Sequence, residues 1–349
     1  PQPSPFMTTI VTFGELMLRL SPPGYQRFQQ ASSFDATFGG GEANVAVSLA
    51  QYGLHPRFLS KLPSHEIGQM AVNSLRALGV DTTSIVRGGD RIGVYFLENG
   101  ASQRGSKVIY DRAHAAVTTL SPDEIDFDAL FDGTLWLHWT GITPALGSQA
   151  TETLRVVLQE AQQRNVRISC DLNYRKKLWT VAQAQETMRS LMPFVNVCIA
   201  NEEDAEKSLG LKAGSTDVEA AHLDTSAYAA LLHQLKDTYG FDTVAITLRE
   251  SFSASDNGWS AIMLDDKDCA QPYQSNRYDI RLVDRVGGGD AFAGGLIAGL
   301  LTKNNTQDAL EFAVAASCLK QTIPGDYNRV SYAEVDALAQ GGGAGRVDR

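Results

Sequence analysis

Residues 135–172, LWLHWTGITPALGSQATETLRVVLQEAQQRNVRISCDL, contain a complete strand-helix-strand pattern. The apolar run Leu135–Trp139 leads into Ser148–Arg164, where apolar side chains recur at helical spacing, and then into a second apolar run, Val166–Leu172. Short apolar runs suit strands buried on both faces, and a helical crossover returns the second strand parallel to the first. The alternation extends both ways. Strand-like runs recur at 11–13 (VTF), 57–62 (RFLSKL), 195–200 (VNVCIA) and 243–248 (TVAITL). Helical segments are expected at Asn44–Tyr52, Gly68–Leu78, Thr225–Tyr239, Gly289–Leu301 and Thr306–Lys320, and several stop at a glycine, as Gly53, Gly79 and Gly240 show. The pattern predicts an α/β fold on a mainly parallel sheet.

Two stretches depart from it. Residues 16–38 and 91–112 lack helix signals and carry alternating strands, for example GVYFLENG and SKVIYDR joined by the polar turn GASQRG. They are expected to form a small β-sheet projecting from the body, well placed to act as a lid. A further hairpin is expected around SDNGW, with Asn257-Gly258 as the tight turn.

Composition narrows the class of partner. With 349 residues, 43% hydrophobic and 20% charged, the chain has the make-up of a globular protein with a substantial core. Its 40 acidic residues against 30 basic ones give a net charge of -10, which speaks against a nucleic-acid or anionic-membrane surface. A small soluble ligand is the better expectation. Cys170, Cys198, Cys269 and Cys318 are far apart and form no metal-binding spacing, so free thiols in a reducing cytoplasm are expected. No apolar run is long enough to span a bilayer, and PQPSPF before Met7 lacks the regions of a signal peptide. Residues 1–6 and 341–349 are expected to be disordered tails.

The chemistry concentrates in DRVGGGDAFAGG, residues 284–295. Glycines at a helix start let backbone N–H groups converge on an anion, and the helix dipole adds a favourable field. The spacing fits neither a Walker A loop nor a dinucleotide fingerprint, which would follow the first strand. Asp290 has two readings from its neighbours alone: an N-terminal cap, or a general base beside a phosphoryl group held by those amides.

Asp284-Arg285-Val286-Gly287-Gly288-Gly289-Asp290 resembles the D-[ST]-x-G-A-G-D signature of the ribokinase-like, or PfkB, family of carbohydrate kinases. The N-terminal glycine motif of that family is matched by Phe38-Gly39-Gly40-Gly41-Glu42-Ala43-Asn44, and the resemblance runs from about Ile10 to about Ala339. It implies a three-layer α/β/α body as a single domain over 8–340, with the lid formed by 16–38 and 91–112. Within the family the sequence is most similar to 2-keto-3-deoxygluconate kinases, through FGE at 13–15, DLNYR at Asp171–Arg175, Asn201-Glu202-Glu203 and LKQTIPGD at Leu319–Asp326.

The resemblance implies ATP-dependent phosphorylation of a sugar acid at O6, with Asp290 as base and the amides of Gly287, Gly288 and Gly289 holding the transferred phosphoryl. It places Gly40, Gly41, Asn44, Tyr95, Tyr110 and Arg112 on the sugar, and Arg175 on phosphate or on the substrate carboxylate. Asn201, Arg175, Gly287 and Gly289 would meet the nucleotide. Mg2+ would ride on the ATP phosphates, with Asn201, Glu203 and Asp204 reaching it through water and room left for a monovalent cation. The lid strands have exposed edges and carry apolar residues that need cover, which predicts a homodimer or higher assembly formed partly through the lids. Other readings stay open at this stage. Tyr95 in a strand suits packing, the arginines suit surface ion pairs, and Asn201 suits a helix cap. His114 and His138 are read as structural or exposed. Arg285-Val286, and Arg249-Glu250-Ser251 after TVAITL, depart from the family pattern, which leaves nucleotide contacts least defined. A neutral-sugar kinase is the alternative within the class, and a non-catalytic sensor on the same fold is the alternative outside it.

Overall fold

The computed structural model of the chain describes residues 8–212, 225–266 and 271–342. In chain order its first half comprises β1 (Thr9–Phe13), β2 (Met17–Ser21), β3 (Asp35–Gly39), α1 (Gly41–Gln51), β4 (His55–Leu62), α2 (Glu66–Arg76), β5 (Ile85–Arg87), β6 (Gly93–Glu98), β7 (Lys107–Asp111), α3 (Phe127–Phe131) and β8 (Thr134–Thr140). There follow α4 (Ile142–Ala145), α5 (Ser148–Gln163), β9 (Arg167–Asp171), α6 (Val181–Leu191), β10 (Val197–Ala200), α7 (Glu202–Leu209), α8 (Thr225–Tyr239), β11 (Thr243–Ser251), β12 (Asp256–Asp265), β13 (Tyr273–Gln274), β14 (Tyr278–Arg281), α9 (Gly288–Thr302), α10 (Thr306–Lys320) and α11 (Tyr332–Ala339).

The large sheet has the order β13-β12-β11-β10-β9-β8-β1-β4-β5, with β14 beside β12. From β11 to β5 every pairing is parallel, and β12 adds an antiparallel edge. Successive side chains of the central strands enter opposite helical layers, as the period of a strand requires. Leu137, Trp139, Ile168, Cys170, Cys198 and Val244 pack against α5, α6 and α8. Ile10, Trp136, Val197, Ile199 and Ala245 pack against α1, α9 and α10 on the other face. Burial on both faces explains why these strands read as continuous apolar runs.

The second sheet, β3-β2-β6-β7, has four strands, with β2 and β6 parallel and the outer pairs antiparallel. It is built from the two stretches that broke the helical alternation. The hairpin β11–β12 forms, but its turn lies at 252–255, and Asn257 and Gly258 are ladder residues opposite Ser251 and Glu250. Ser253 accounts for the shift. Its hydroxyl accepts from the amides of Ser255 and Asp256 and donates to Asp256 Oδ2 at 2.9 Å, so the serine turn closes the hairpin before Asn257 is reached. Helix α1 begins at Gly41 rather than Asn44, because the Asn44 amide donates to the Gly40 carbonyl at 2.7 Å and draws the glycines into the first turn.

Cys170 and Cys198 are buried free thiols and Cys318 is half-buried, whereas Cys269 lies outside the described residues. Among the described residues no helix is long and apolar enough to cross a membrane.

Candidate active site

A cavity of about 2090 Å³ opens beyond the carboxyl ends of the parallel strands, where ligands of open α/β sheets collect. Asp171 ends β9, Asn201 follows β10, and Thr247 and Arg249 lie on β11 just past the point where β10 ends opposite Ile246; all four line the cavity. The small sheet contributes Met17, Tyr95 and Tyr110, with Arg112 directly after β7, and α1 contributes Gly41 and Asn44. Tyr228, Phe252 and Trp259 line it from the β11–β12 side, and Gly287, Gly289 and Asp290 from the start of α9.

The loop before α9 is held by groups facing away from the cavity. Asp284 is buried; its Oδ1 accepts from the Val286 amide at 3.0 Å, and its Oδ2 from the Gly325 amide at 3.0 Å. Gly287 has φ +81°, and a Cβ there would stand 2.2 Å from the Asp326 carbonyl oxygen, so only glycine fits. Among the described residues the amides of Gly287 and Gly289 have no protein acceptor, and both residues line the cavity. Gly288 differs. It is buried, its amide donates to the Arg285 carbonyl at 3.3 Å, and its carbonyl accepts from Ser317 Oγ at 2.7 Å. Two of the three glycine amides are therefore left unengaged in residues that line the cavity, and the third is taken up within the turn.

Asp290 does not cap its helix, since the N-cap is Gly287 and no side chain caps it. Its Oδ2 accepts a 2.7 Å hydrogen bond from Asn44 Nδ2, and Asn44 Oδ1 in turn accepts from the Gly40 amide at 3.3 Å. This contact depends on α1 and α9 lying close together. A Cβ on Gly294 would stand 2.7 Å from Ser48 Cβ, so the glycine within AFAGG lets the two helices meet. Burial raises the Asp290 pKa to about 6, against the opposing effects of the Asn44 hydrogen bond and the Arg175 charge, while Asp326 pushes it further up. A carboxylate in that range is ionised at neutral pH yet basic enough to take a proton.

Arg175 is exposed, lines the cavity, and opposes the upward shifts of both Asp290 and Asp171. Burial first, then the charges of Asp204 and Asp290, holds the Asp171 carboxyl well above its usual range. Asp204 is buried and accepts from the Tyr174 amide at 3.0 Å, which fixes the turn carrying Arg175. Asn201 caps α7, its Oδ1 accepting from the Asp204 amide at 2.7 Å, and Glu203 is exposed beside it.

The small sheet brings two surprises. The Tyr95 ring lines the cavity, but its hydroxyl donates to the Asp326 carboxylate at 2.6 Å. Arg112 is paired with Glu15, a buried carboxylate whose pKa burial raises in spite of that arginine. Tyr110 is more open, 5.9 Å from the Tyr95 ring and with the Arg112 guanidinium 5.3 Å from its own ring centre. Sequence reasoning missed Arg19. From β2 it reaches Asp284 at 2.6 Å and Asp326 at 2.7 Å, all three side chains being at most 4% exposed. Burial works against this guanidinium, but Asp326 and Asp284 more than offset it and raise its pKa. An arginine in the middle of the strand MLRLS was the available signal, and its partners lie 265 and 307 residues away. Glu42 was also missed as a contact. It is buried and accepts from Thr140 Oγ1 at 2.8 Å and Thr143 Oγ1 at 2.7 Å, tying the start of α1 to the end of β8, and burial raises its pKa to about 7. His138 is buried with Nδ1 2.8 Å from Ser169 Oγ, a structural position.

A glycine loop, an adjacent carboxylate and a lid-like sheet over the ends of a parallel sheet define a phosphotransferase acting on a small hydroxylated molecule. The chain matches the pfkB family of carbohydrate kinases over residues 7–331 and belongs to it. It is thus a carbohydrate kinase. It is 36% identical over 342 residues, 97% of this chain and 99% of the relative, to a 2-dehydro-3-deoxygalactonokinase of Haloferax volcanii. It is 29% identical to a 2-dehydro-3-deoxygluconokinase of Bacillus subtilis, over 90% of each chain. Among solved structures, the 2-dehydro-3-deoxygluconokinase of Thermotoga maritima is 50% identical and superposes with a TM-score of 0.90, covering 96% of this chain and 98% of that one.

Proposed function

We propose that the protein transfers the terminal phosphoryl group of ATP to O6 of 2-keto-3-deoxygluconate, giving 2-keto-3-deoxy-6-phosphogluconate and ADP. The observation that carries the reading is Asp290, its carboxylate fixed by Asn44 beside the two unengaged glycine amides. Asp290 takes the proton from the O6 hydroxyl as the oxygen bonds to the γ-phosphorus and the bond to the β-phosphate oxygen breaks. The amides of Gly287 and Gly289 meet the charge that spreads over the transferred group, and Arg175 adds a positive charge on the same side. Gly40, Gly41 and Asn44 border the sugar, and Tyr110 and Arg112 approach it from the lid. Arg112 keeps its Glu15 partner in doing so, and Tyr95 contributes its ring while its hydroxyl orders Asp326. Mg2+ enters as part of the nucleotide substrate; the nearby carboxylates Asp171, Glu203 and Asp204 would meet it through water.

The carboxylated substrate is favoured by Arg175, Lys176 and Lys177, three exposed cations that line the cavity, with Lys177 reaching the Val108 carbonyl of the small sheet at 3.1 Å. The 36% identity to a kinase named for the galactonate epimer makes that epimer the second candidate. Initial rates of ADP release on both epimers and on fructose and ribose test the reading. A higher kcat/KM on a neutral sugar would overturn it. The small sheet presents Ile109, 54% exposed, and Phe34, 40% exposed, lies just before its strand β3; we read this sheet as the homodimer face of a cytoplasmic enzyme. A single monomeric species in sedimentation velocity would refute the dimer.

A further inference from the structure

We infer that Lys320 is a positioning residue for phosphoryl transfer, its buried ammonium acting as a tethered cation that keeps the glycine loop turned toward the anion. Lys320 sits at the end of α10 with 0% exposure. Its Nζ donates to the carbonyl oxygen of Asp284 at 3.1 Å and to that of Val286 in a shorter contact. Among the described residues it forms no ion pair, so its partners are main-chain oxygens. Burial lowers its pKa against the pull of Asp284, Asp326 and Asp290, and Arg19 lowers it further. Burying an ammonium is costly, and a helix end has no need of one in its core.

The geometry of the peptide unit shows what the ammonium does. The carbonyl of Val286 and the N–H of Gly287 belong to one planar trans peptide and point in opposite directions. Drawing the Val286 oxygen inward to Lys320 therefore turns the Gly287 N–H outward, on the side where Gly287 lines the cavity. The second bond holds the carbonyl of Asp284, at the start of the turn, to the same ammonium, and a Cβ on Gly287 would stand 3.2 Å from Lys320 Cε, so the stem packs directly under the turn. Without the ammonium, the two carbonyls would face each other's partial charges across an empty slot. The peptide would then be free to flip, replacing a donor with an acceptor at the phosphoryl site.

This inference rests on the reading of Gly287 as an anion-binding amide. The test is Lys320→Met, which keeps the apolar stem and removes the charge. We expect kcat to fall about 10- to 100-fold, the scale of losing one preorganised donor, with the KM for the sugar acid within about twofold because Lys320 does not line the sugar side. Ammonium or potassium, sized for a slot lined by carbonyls, should restore part of kcat, and choline should not. A folded Lys320→Met protein with wild-type kcat overturns the inference, as does a loss of kcat that neither cation restores. Should the variant fail to fold, the wild-type protein decides: its kcat should not change when potassium and ammonium are replaced by choline, and activation by potassium severalfold would overturn the inference. Wild-type activity on the sugar panel reads out the proposed substrate separately, so failure of that reading is seen before any variant is made.

Discussion

Replacing Asn44 with alanine removes the 2.7 Å hydrogen bond to the Asp290 carboxylate and nothing else that approaches that oxygen from α1. The bond favours the ionised form, so its loss moves the Asp290 pKa upward from about 6. A hydrogen bond to a charged group contributes roughly 1.5 to 3 kcal/mol. Asp290 is half-buried and can recruit water in place of the amide, which places the loss at the lower end, about one pKa unit at 1.36 kcal/mol per unit. The measurement is kcat/KM for 2-keto-3-deoxygluconate from ADP release as a function of pH. Wild-type activity should decline with decreasing pH below about 6. In Asn44→Ala the same limb should lie about one pH unit higher, so that, measured against each enzyme's own alkaline plateau, the variant is about tenfold slower on the acid side, while loss of the Asn44 contact to the sugar lowers the plateau itself. Asn44→Asp, which keeps an acceptor for the Gly40 amide but sets a carboxylate against Asp290, should shift the limb further in the same direction. An Asn44→Ala enzyme whose acid limb coincides with that of the wild type would refute the assignment of Asp290 as the titrating base.

Asp290→Asn should lower kcat by about 10²- to 10⁴-fold while leaving sugar binding by calorimetry nearly intact. Because the folded carboxyl has a raised pKa, its stabilising contribution is complete below the ordinary value of 3.8 and is lost as pH rises through about 6, so Asp290→Asn should gain Tm over the wild type between those limits; a difference independent of pH would contradict this. Arg19→Met leaves Asp284 and Asp326 buried without their cation, and urea unfolding should show a loss of about 3 to 5 kcal/mol, with less than about 1 kcal/mol counting against the cluster. Gly294→Ala forces a Cβ to 2.7 Å from Ser48 Cβ and should destabilise by roughly 1 to 3 kcal/mol; adding Ser48→Gly should recover much of that and of kcat, and no recovery would mean that the helices do not meet there.

Some of this could be read from composition and pattern, and some could not, for physical reasons. The runs Leu135–Trp139 and Val166–Leu172 announced parallel strands because a strand buried on both faces has no polar face to alternate. The glycine loop was legible because Gly287 must adopt a positive φ and approach backbone closely, demands that no other residue meets. The hairpin turn was misplaced because Asn257-Gly258 is a strong local signal that the serine turn at 252–255 outcompetes. The ion cluster of Arg19 was invisible because a lone arginine in a strand looks the same whether it meets water or two buried aspartates.

Local chemistry along the chain therefore specified the layers, the order of the elements and the place where an anion would sit, since each follows from periodicity, backbone freedom and dipoles within a few residues. The proton acceptor we propose came from elsewhere. Asp290 could have been a helix cap until α1 and α9, brought together at Gly294, set Asn44 against it and burial raised its pKa. Tertiary packing likewise turned Tyr95 and Arg112 toward Asp326 and Glu15, because desolvated charges take the nearest partner the fold presents, whatever their separation in the chain.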